Sequence, residues 1–332
     1  MRIYSLLFFS RLALAATEIK RSTRADLVFH RDATRSQLVE HKYIVMLKSS
    51  ADSLEISTKY DATSVYNTTL NGYDESAGEG TCIYVLDTGI FVNDLEFEGR
   101  VTFVKELSSD GVSDDTVGHG TSVAAWAASK TYGTSKKAKL LAVKVVGGNG
   151  EIGDSSTGWI FIGQDYISRQ EECPAGILVN MSVGTQPPMQ SMNDAARALI
   201  EAGLFVGVAA GNFNEDASNR SPGAEPLVCT VGASDSFNNR ADFSNFGELM
   251  DIYAPGKYVG TIDRFGAPIS SSGTSLASPY VVGLAANLMA LEGNPGPIAM
   301  CQRLQELGVE EILGNMPNGT INILANNMAA TN

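Results

Sequence analysis

Ser275 follows Gly273-Thr274 and opens onto Tyr280 to Met289, an apolar, alanine-rich run at helical period. A serine at a helix N-terminus sits among unpaired backbone N–H groups and the positive dipole end. That environment suits a nucleophile whose attack creates an oxyanion. The hydroxyl is weak until an imidazole takes its proton, and the imidazole needs an acid to hold its tautomer. The chain has three histidines, and His30 and His41 lie in a polar N-terminal segment. That leaves His119, in Gly118-His119-Gly120-Thr121, as the base. Its flanking glycines permit close backbone approach. Asp87, in Asp87-Thr88-Gly89, is the acid candidate. Pro279 is expected in the first helical turn, where a missing N–H is tolerated.

Order along the chain separates rival chemistries. An α/β-hydrolase needs G-x-S-x-G with its histidine after the serine, but Ala277 replaces the second glycine and no histidine follows Ser275. An aspartic protease needs two D-T-G or D-S-G carboxylates, and one is present. H-E-x-x-H, the mark of a zinc protease, is absent. Asp, His, Ser is the order that survives.

The elements that must position these groups alternate. Cys82 to Leu86, Leu140 to Val146, Gly176 to Val179, Leu204 to Ala209 and Val228 to Val231 read as buried strands. Helices are expected after Gly120, from Ser156 to Arg169, and from Asn193 to Ala202, the last stopped by Gly203. Such alternation predicts a parallel α/β sheet with right-handed crossovers and a site beyond the carboxyl ends of its strands. Asp87 and Asn212 both stand at such ends.

At 332 residues and net charge −13 the chain is large enough for a sizeable core and carries no basic stripe for nucleic acid. Four cysteines without a C-x-x-C pair give no support to a zinc ribbon. Met1-Arg2, an apolar stretch and Ala13-Leu14-Ala15-Ala16 read as a secretory signal over residues 1–16. After it no run reaches the roughly 20 apolar residues of a membrane span. Export makes the cysteines a disulfide set and makes Asn67, Asn219 and Asn318 candidate glycan sites, with the sequon at Asn180 shielded in a strand.

D-T-G, G-H-G-T and G-T-S-x-A-x-P in this order resemble the subtilisin-like serine proteases, whose own triad order is the template here. The proteinase K branch is most similar, from Tyr73 to Ala325, through Lys130-Thr131-Tyr132-Gly133, Val231-Gly232-Ala233-Ser234-Asp235 and Phe243-Ser244-Asn245-Phe246-Gly247. The resemblance implies a three-layer α/β/α fold with a mainly parallel central sheet. It implies Ser275 as nucleophile, His119 as base, Asp87 as orienting acid and Asn212 as oxyanion donor. Ser182, Val183 and Gly184 would line the first specificity pocket, Ala210 and Gly211 would also bind substrate, and Gly150 would pair with it. Cys82 would pair with Cys173 and Cys229 with Cys301. Pro226, Val228 and Asp251 match a structural calcium site, and no cofactor is needed for the chemistry.

Some positions depart from the family pattern. Ser122 and Tyr280 stand where the family has histidines, and Val123 where it has a free cysteine. Glu151 and Ile152 replace smaller residues in the substrate-pairing stretch. His41 to Lys48 resembles the opening of an inhibitory propeptide, but the chain then reaches Tyr73-Asp74-Glu75 almost at once. The expected organisation is therefore a truncated propeptide over residues 17–60 and a peptidase domain over 61–332. The function expected is a secreted, monomeric serine endopeptidase of broad specificity. Its partners would be protein or peptide substrates and its own propeptide, with neither nucleic acid nor membrane. A non-catalytic relative is the alternative.

Overall fold

A computed structural model of the chain describes residues 27–28, 46–47, 76–148 and 155–326. The signal segment, most of residues 17–60, the Asn67 sequon, Gly150, Glu151 and Ile152 lie outside these. The chain divides into two units, Met1–Ala62 and Thr63–Asn332. In the first, Leu27–Val28 (β1) pairs antiparallel with Met46–Leu47 (β2).

The second unit is organised on a nine-stranded sheet. Thr81–Asp87 (β3), Val101–Glu106 (β4), Lys139–Lys144 (β5), Gly176–Met181 (β6), Phe205–Ala209 (β7), Cys229–Ser234 (β8) and Ile252–Pro255 (β9) run parallel in the order β9-β8-β7-β6-β3-β5-β4. Val259–Ile262 (β10) and Pro268–Ser271 (β11) form a separate hairpin. The antiparallel pair Val309–Glu310 (β12) and Ile323–Leu324 (β13) finishes the β9 edge. Among the described residues five α-helices complete it: His119–Ala128 (α1), Ser155–Arg169 (α2), Gln190–Glu201 (α3), Thr274–Glu292 (α4) and Pro297–Leu307 (α5).

Alternation along the strands splits the core into two layers. Ile83, Val85, Leu140 and Leu178 face α1, α4 and α5, whereas Tyr84, Leu86, Leu141 and Val179 face Trp159 of α2 and Leu199 of α3. Both faces are covered, so the central strands are nearly continuous apolar runs, as a parallel sheet demands. This is the three-layer α/β/α arrangement.

Helix α4 is buried on nearly every side, which is why its apolar residues show no single stripe. It is long and apolar enough to cross a bilayer, contrary to the sequence expectation, yet an 18-residue window of it is 83% buried inside the fold. Helix α3 starts at Gln190, earlier than the periodicity indicated, and Gly203 (φ +94°) follows its end. The cysteines pair as Cys82–Cys173 and Cys229–Cys301.

Candidate active site

Strand β3 delivers Asp87, fully buried, at its carboxyl end. Asp87 Oδ1 accepts from the Thr88 N–H at 2.7 Å and lies 2.7 Å from His119 Nδ1. A carboxylate partner fixes the proton on Nδ1 and leaves Nε2 as the basic nitrogen. His119 opens α1, and the space beside it requires glycine. A Cβ on Gly120 would come 2.1 Å from the Gly89 carbonyl and 3.1 Å from the Asp87 Cβ, while Gly118 adopts φ +101°.

Asp115, four residues before the histidine, holds this turn together. Its Oδ1 accepts from Thr88 Oγ1 (2.8 Å) and from the N–H groups of Val117 (3.0 Å) and Gly118 (2.7 Å). Its Oδ2 accepts from the Thr121 N–H (2.9 Å) and hydroxyl (2.6 Å). Thr88 Oγ1 in turn accepts from the Gly120 N–H at 2.9 Å. The loop before Asp115 is fastened by Lys144, a buried cation at the end of β5, which donates to Asp110 Oδ2 and to the Val112 and Asp114 carbonyls at 3.0 Å each.

Gly273 caps α4, and Ser275 is its second residue, so the Ser275 N–H has no intrahelical acceptor. Pro279 lies in the second turn, not the first, and removes the N–H that would have reached the Ser275 carbonyl. That carbonyl instead accepts from Ser182 Oγ at 2.8 Å. Ser182 therefore repairs the helix at the proline and ties the end of β6 to the serine turn. Asn180 Nδ2 donates to Ser182 Oγ, and Ser278 Oγ donates to Asn180 Oδ1. Asn180 is fully buried, so its sequon is shielded. The Ser275 hydroxyl donates to the Ser182 carbonyl at 3.0 Å rather than to the imidazole. Proton transfer to the imidazole would require the hydroxyl to leave this carbonyl; contacts of this kind commonly tighten only with substrate bound.

Asn212 stands beyond β7 with its Oδ1 taken by the Thr274 N–H (2.8 Å) and hydroxyl (2.9 Å). Among the described residues its Nδ2 meets no acceptor, and a Cβ on Gly273 would lie 3.4 Å from it. Asn245 supports this loop, donating to the Ala210 carbonyl and accepting from the Phe213 and Glu215 N–H groups. Ala210, expected to contact substrate, is fully buried with its N–H committed to the Val231 carbonyl. Ala209 is the neighbour that keeps partial exposure. Gly211 likewise gives its N–H to Thr274 Oγ1 and its carbonyl to the Asn245 N–H. Val183 and Gly184 are partly exposed or exposed beyond β6.

The structure thus brings His119, Ser275 and Asn212 to the rim of one cleft of about 580 Å³, with Asp87 behind the histidine. Residues 78–311 match the model of the subtilase family.

The chain belongs to the subtilase family.

It is 46% identical to the cuticle-degrading protease of Metarhizium anisopliae over 260 residues, covering 77% of this chain and 66% of that protein. It is 42% identical to Proteinase T of Parengyodontium album over 258 residues, covering 77% of this chain and 86% of that protein. Among solved structures, a cold-adapted subtilisin-like serine proteinase superposes with a TM-score of 0.70 at 31% identity, covering 76% of this chain and 91% of the other. The subtilase chemistry needs no cofactor.

Sequence reasoning missed Asp115, Asn180, Asn245 and Ser278 as supports of the site. The available signal was D-x-x-x-H around the histidine and the position of Asn180 two residues before Ser182. The departures from the family pattern are absorbed by packing. Ser122 donates to the Ile262 carbonyl at 2.6 Å, Tyr280 is buried with its ring 6.0 Å from that of Trp126, and Val123 is buried.

The Asp87 carboxylate, opposed by partial burial and helped by Asp115, raises the His119 pKa above its ordinary 6.5. Catalysis needs the neutral imidazole, so the acid limb of a kcat/KM profile is expected above pH 6.5. A limb below that value would show that the Asp87 carboxylate does not hold the His119 pKa up. The stability linkage has the opposite sign. A raised folded pKa contributes stability below the unfolded value and loses it as pH rises through the folded one.

Proposed function

We propose that the chain is a secreted serine endopeptidase of broad specificity. The observation that carries this reading is the 2.7 Å Asp87–His119 hydrogen bond behind a cleft bordered by Ser275 and Asn212. Ser275 Oγ attacks the scissile carbonyl while His119 Nε2 takes its proton, and Asp87 stabilises the imidazolium through Nδ1–H. The tetrahedral oxyanion accepts from Asn212 Nδ2 and the Ser275 N–H. The C–N bond breaks as His119 returns the proton to the leaving amine, and water then hydrolyses the acyl ester by the same route. Ser182, Val183 and Gly184 bound the acyl side, and Gly150 pairs with the substrate backbone. The non-catalytic alternative has no support in these observations.

Residues 1–16 are proposed as a secretory signal, 17–60 as a propeptide remnant and 61–332 as the peptidase domain. Among the described residues, Asn219 and Asn318 are exposed and their sequons are open to glycosylation. The test is a fluorophosphonate probe applied to the protein beside Ser275→Ala. Labelling of the wild type alone is expected. A folded wild type that resists the probe would end the protease reading.

Pro226, Val228 and Asp251 border one pocket of about 220 Å³. The residues fit a hard cation: carbonyl and carboxylate oxygens suit calcium. Burial pushes the Asp251 carboxyl up to about 7, a cost that a cation would relieve, and its Oδ2 takes the Thr230 N–H. Cys229 and Cys301 are nearby but are bonded to each other and offer no thiolate. Calcium here would brace the β8–β9 ends and supply no chemistry. At a concentration about 100-fold above Kd it is expected to add about 2.7 kcal/mol of stability. Melting curves with calcium and with chelator measure this, and Asp251→Asn should abolish the difference. Equal curves for the wild type would remove the site.

A further inference from the structure

We infer that Arg264 makes the leaving-group side of the cleft a subsite for acidic side chains. The inference rests on the protease reading and concerns substrate choice within it. The approximately 580 Å³ cleft is bordered by His119, Ser275 and Asn212, and continues onto Arg264, Phe265 and Ile269. None of Ser182, Val183 and Gly184 borders it. With the acyl side assigned to those three, this space receives the residues that follow the scissile bond.

The turn between β10 and β11 carries the subsite. It is closed by the Asp263 N–H on the Ala267 carbonyl at 2.9 Å. Asp263 Oδ1 accepts from the Phe265 and Ala267 N–H groups at 2.8 and 2.9 Å, so this nearby carboxylate is engaged in shaping the turn. The hairpin is fixed to α1 from both directions, because Ser122 Oγ donates to the Ile262 carbonyl and Thr261 Oγ1 donates to the Ser122 carbonyl. Arg264 therefore has a defined place relative to the histidine. A Cβ on Gly118 would meet the Arg264 Cβ at 3.4 Å, one residue from His119.

The guanidinium is positioned but not neutralised. Arg264 Nη1 donates to the Thr116 carbonyl at 2.7 Å, and Cζ lies 4.5 Å from the Phe265 ring centroid. Arg264 forms no ion pair with any described residue, whereas Arg169, Arg197, Arg220 and Arg303 all do. Phe265 is 71% exposed and Ile269 38%, which gives the pocket an apolar rim beside the charge. An apolar wall with one planar, partly free guanidinium matches a glutamate side chain, whose methylenes pack on the wall and whose carboxylate meets the fork.

The test uses quenched fluorescent peptides that differ only in glutamate or lysine at the first and second positions after the cleaved bond. The wild type is expected to prefer glutamate in kcat/KM by about three- to fivefold, the range of a partly exposed ion pair. Raising salt to about 0.5 M should reduce the ratio. Arg264→Ala should bring the ratio to one, Arg264→Glu should invert it, and Arg264→Lys should keep its sign. A ratio of one in the wild type, or a preference that survives Arg264→Ala, overturns the inference. A separate p-nitroanilide substrate, which has no residue on the leaving-group side, reports whether the protein hydrolyses anything. Cleavage of it without peptide discrimination defeats the subsite alone, whereas no cleavage of any substrate by folded protein defeats the protease reading and the subsite together.

Discussion

Ser275→Ala is expected to lower kcat by about 10⁶, a magnitude measured in subtilisin, a member of the same family, and carried over to this chain. The geometry explains why nothing replaces the hydroxyl. Ser275 occupies the second position of α4, held by Ser182 Oγ on its own carbonyl, and no other hydroxyl shares that place. Asn212→Ala tests the oxyanion side and is expected to cost about 10² to 10³ in kcat, again a figure from subtilisin, with little change in KM. Asn212 Oδ1 is already occupied by Thr274, so in the proposed mechanism Nδ2 is the donor, and it would bind charge that exists only in the transition state. Steady-state kinetics on one peptide amide would check both. Equal loss in Ser275→Ala and Asn212→Ala, or a rise in KM alone for Asn212→Ala, would contradict these assignments.

Asp115→Ala should produce the largest loss of stability. The side chain is 3% exposed and accepts five hydrogen bonds from Thr88, Val117, Gly118 and Thr121. Removing it strands several buried donors, each costing about 1 to 3 kcal/mol if left unmet, and such losses overlap. A total of roughly 3 to 5 kcal/mol is expected in denaturant unfolding, measured in the Ser275→Ala background to prevent self-cleavage. Asp115→Asn keeps the shape but loses the charge that helps raise the His119 pKa, so its acid limb should move down. A change within about 0.5 kcal/mol for Asp115→Ala would mean that the turn is held by other contacts.

The side chains proposed for catalysis were readable as candidates because such chemistry restricts residue type and order. With His119 the one histidine outside the N-terminal segment, the base could be named, and strand ends pointed to Asp87 and Asn212. The buried strands β3, β5 and β6 were equally readable, since cover on both faces leaves uninterrupted apolar runs. Edge elements were not. No residue of β4 is buried, and β11 reads Pro-Ile-Ser-Ser, mostly exposed, so neither carries a strong hydrophobic signal. Asp115 and Asn245 escaped for a different reason. Their significance lies in how many backbone N–H groups they collect, and one acidic residue among 37 does not announce that. Pro279 misled because the sequence shows the missing N–H but not that Ser182 Oγ answers it.

The contacts that assemble the site join residues 32, 62 and 93 positions apart. No local fragment can hold the triad together, so a chain either has the whole architecture or has no reactive serine. On the proposed protease reading, native and unfolded copies in one sample then stand as enzyme and substrate. Each molecule that opens is exposed to cleavage by those still closed, and mass drains from the unfolded side instead of returning. The lifetime of such a protein is governed by how seldom it opens, a barrier height rather than an equilibrium depth.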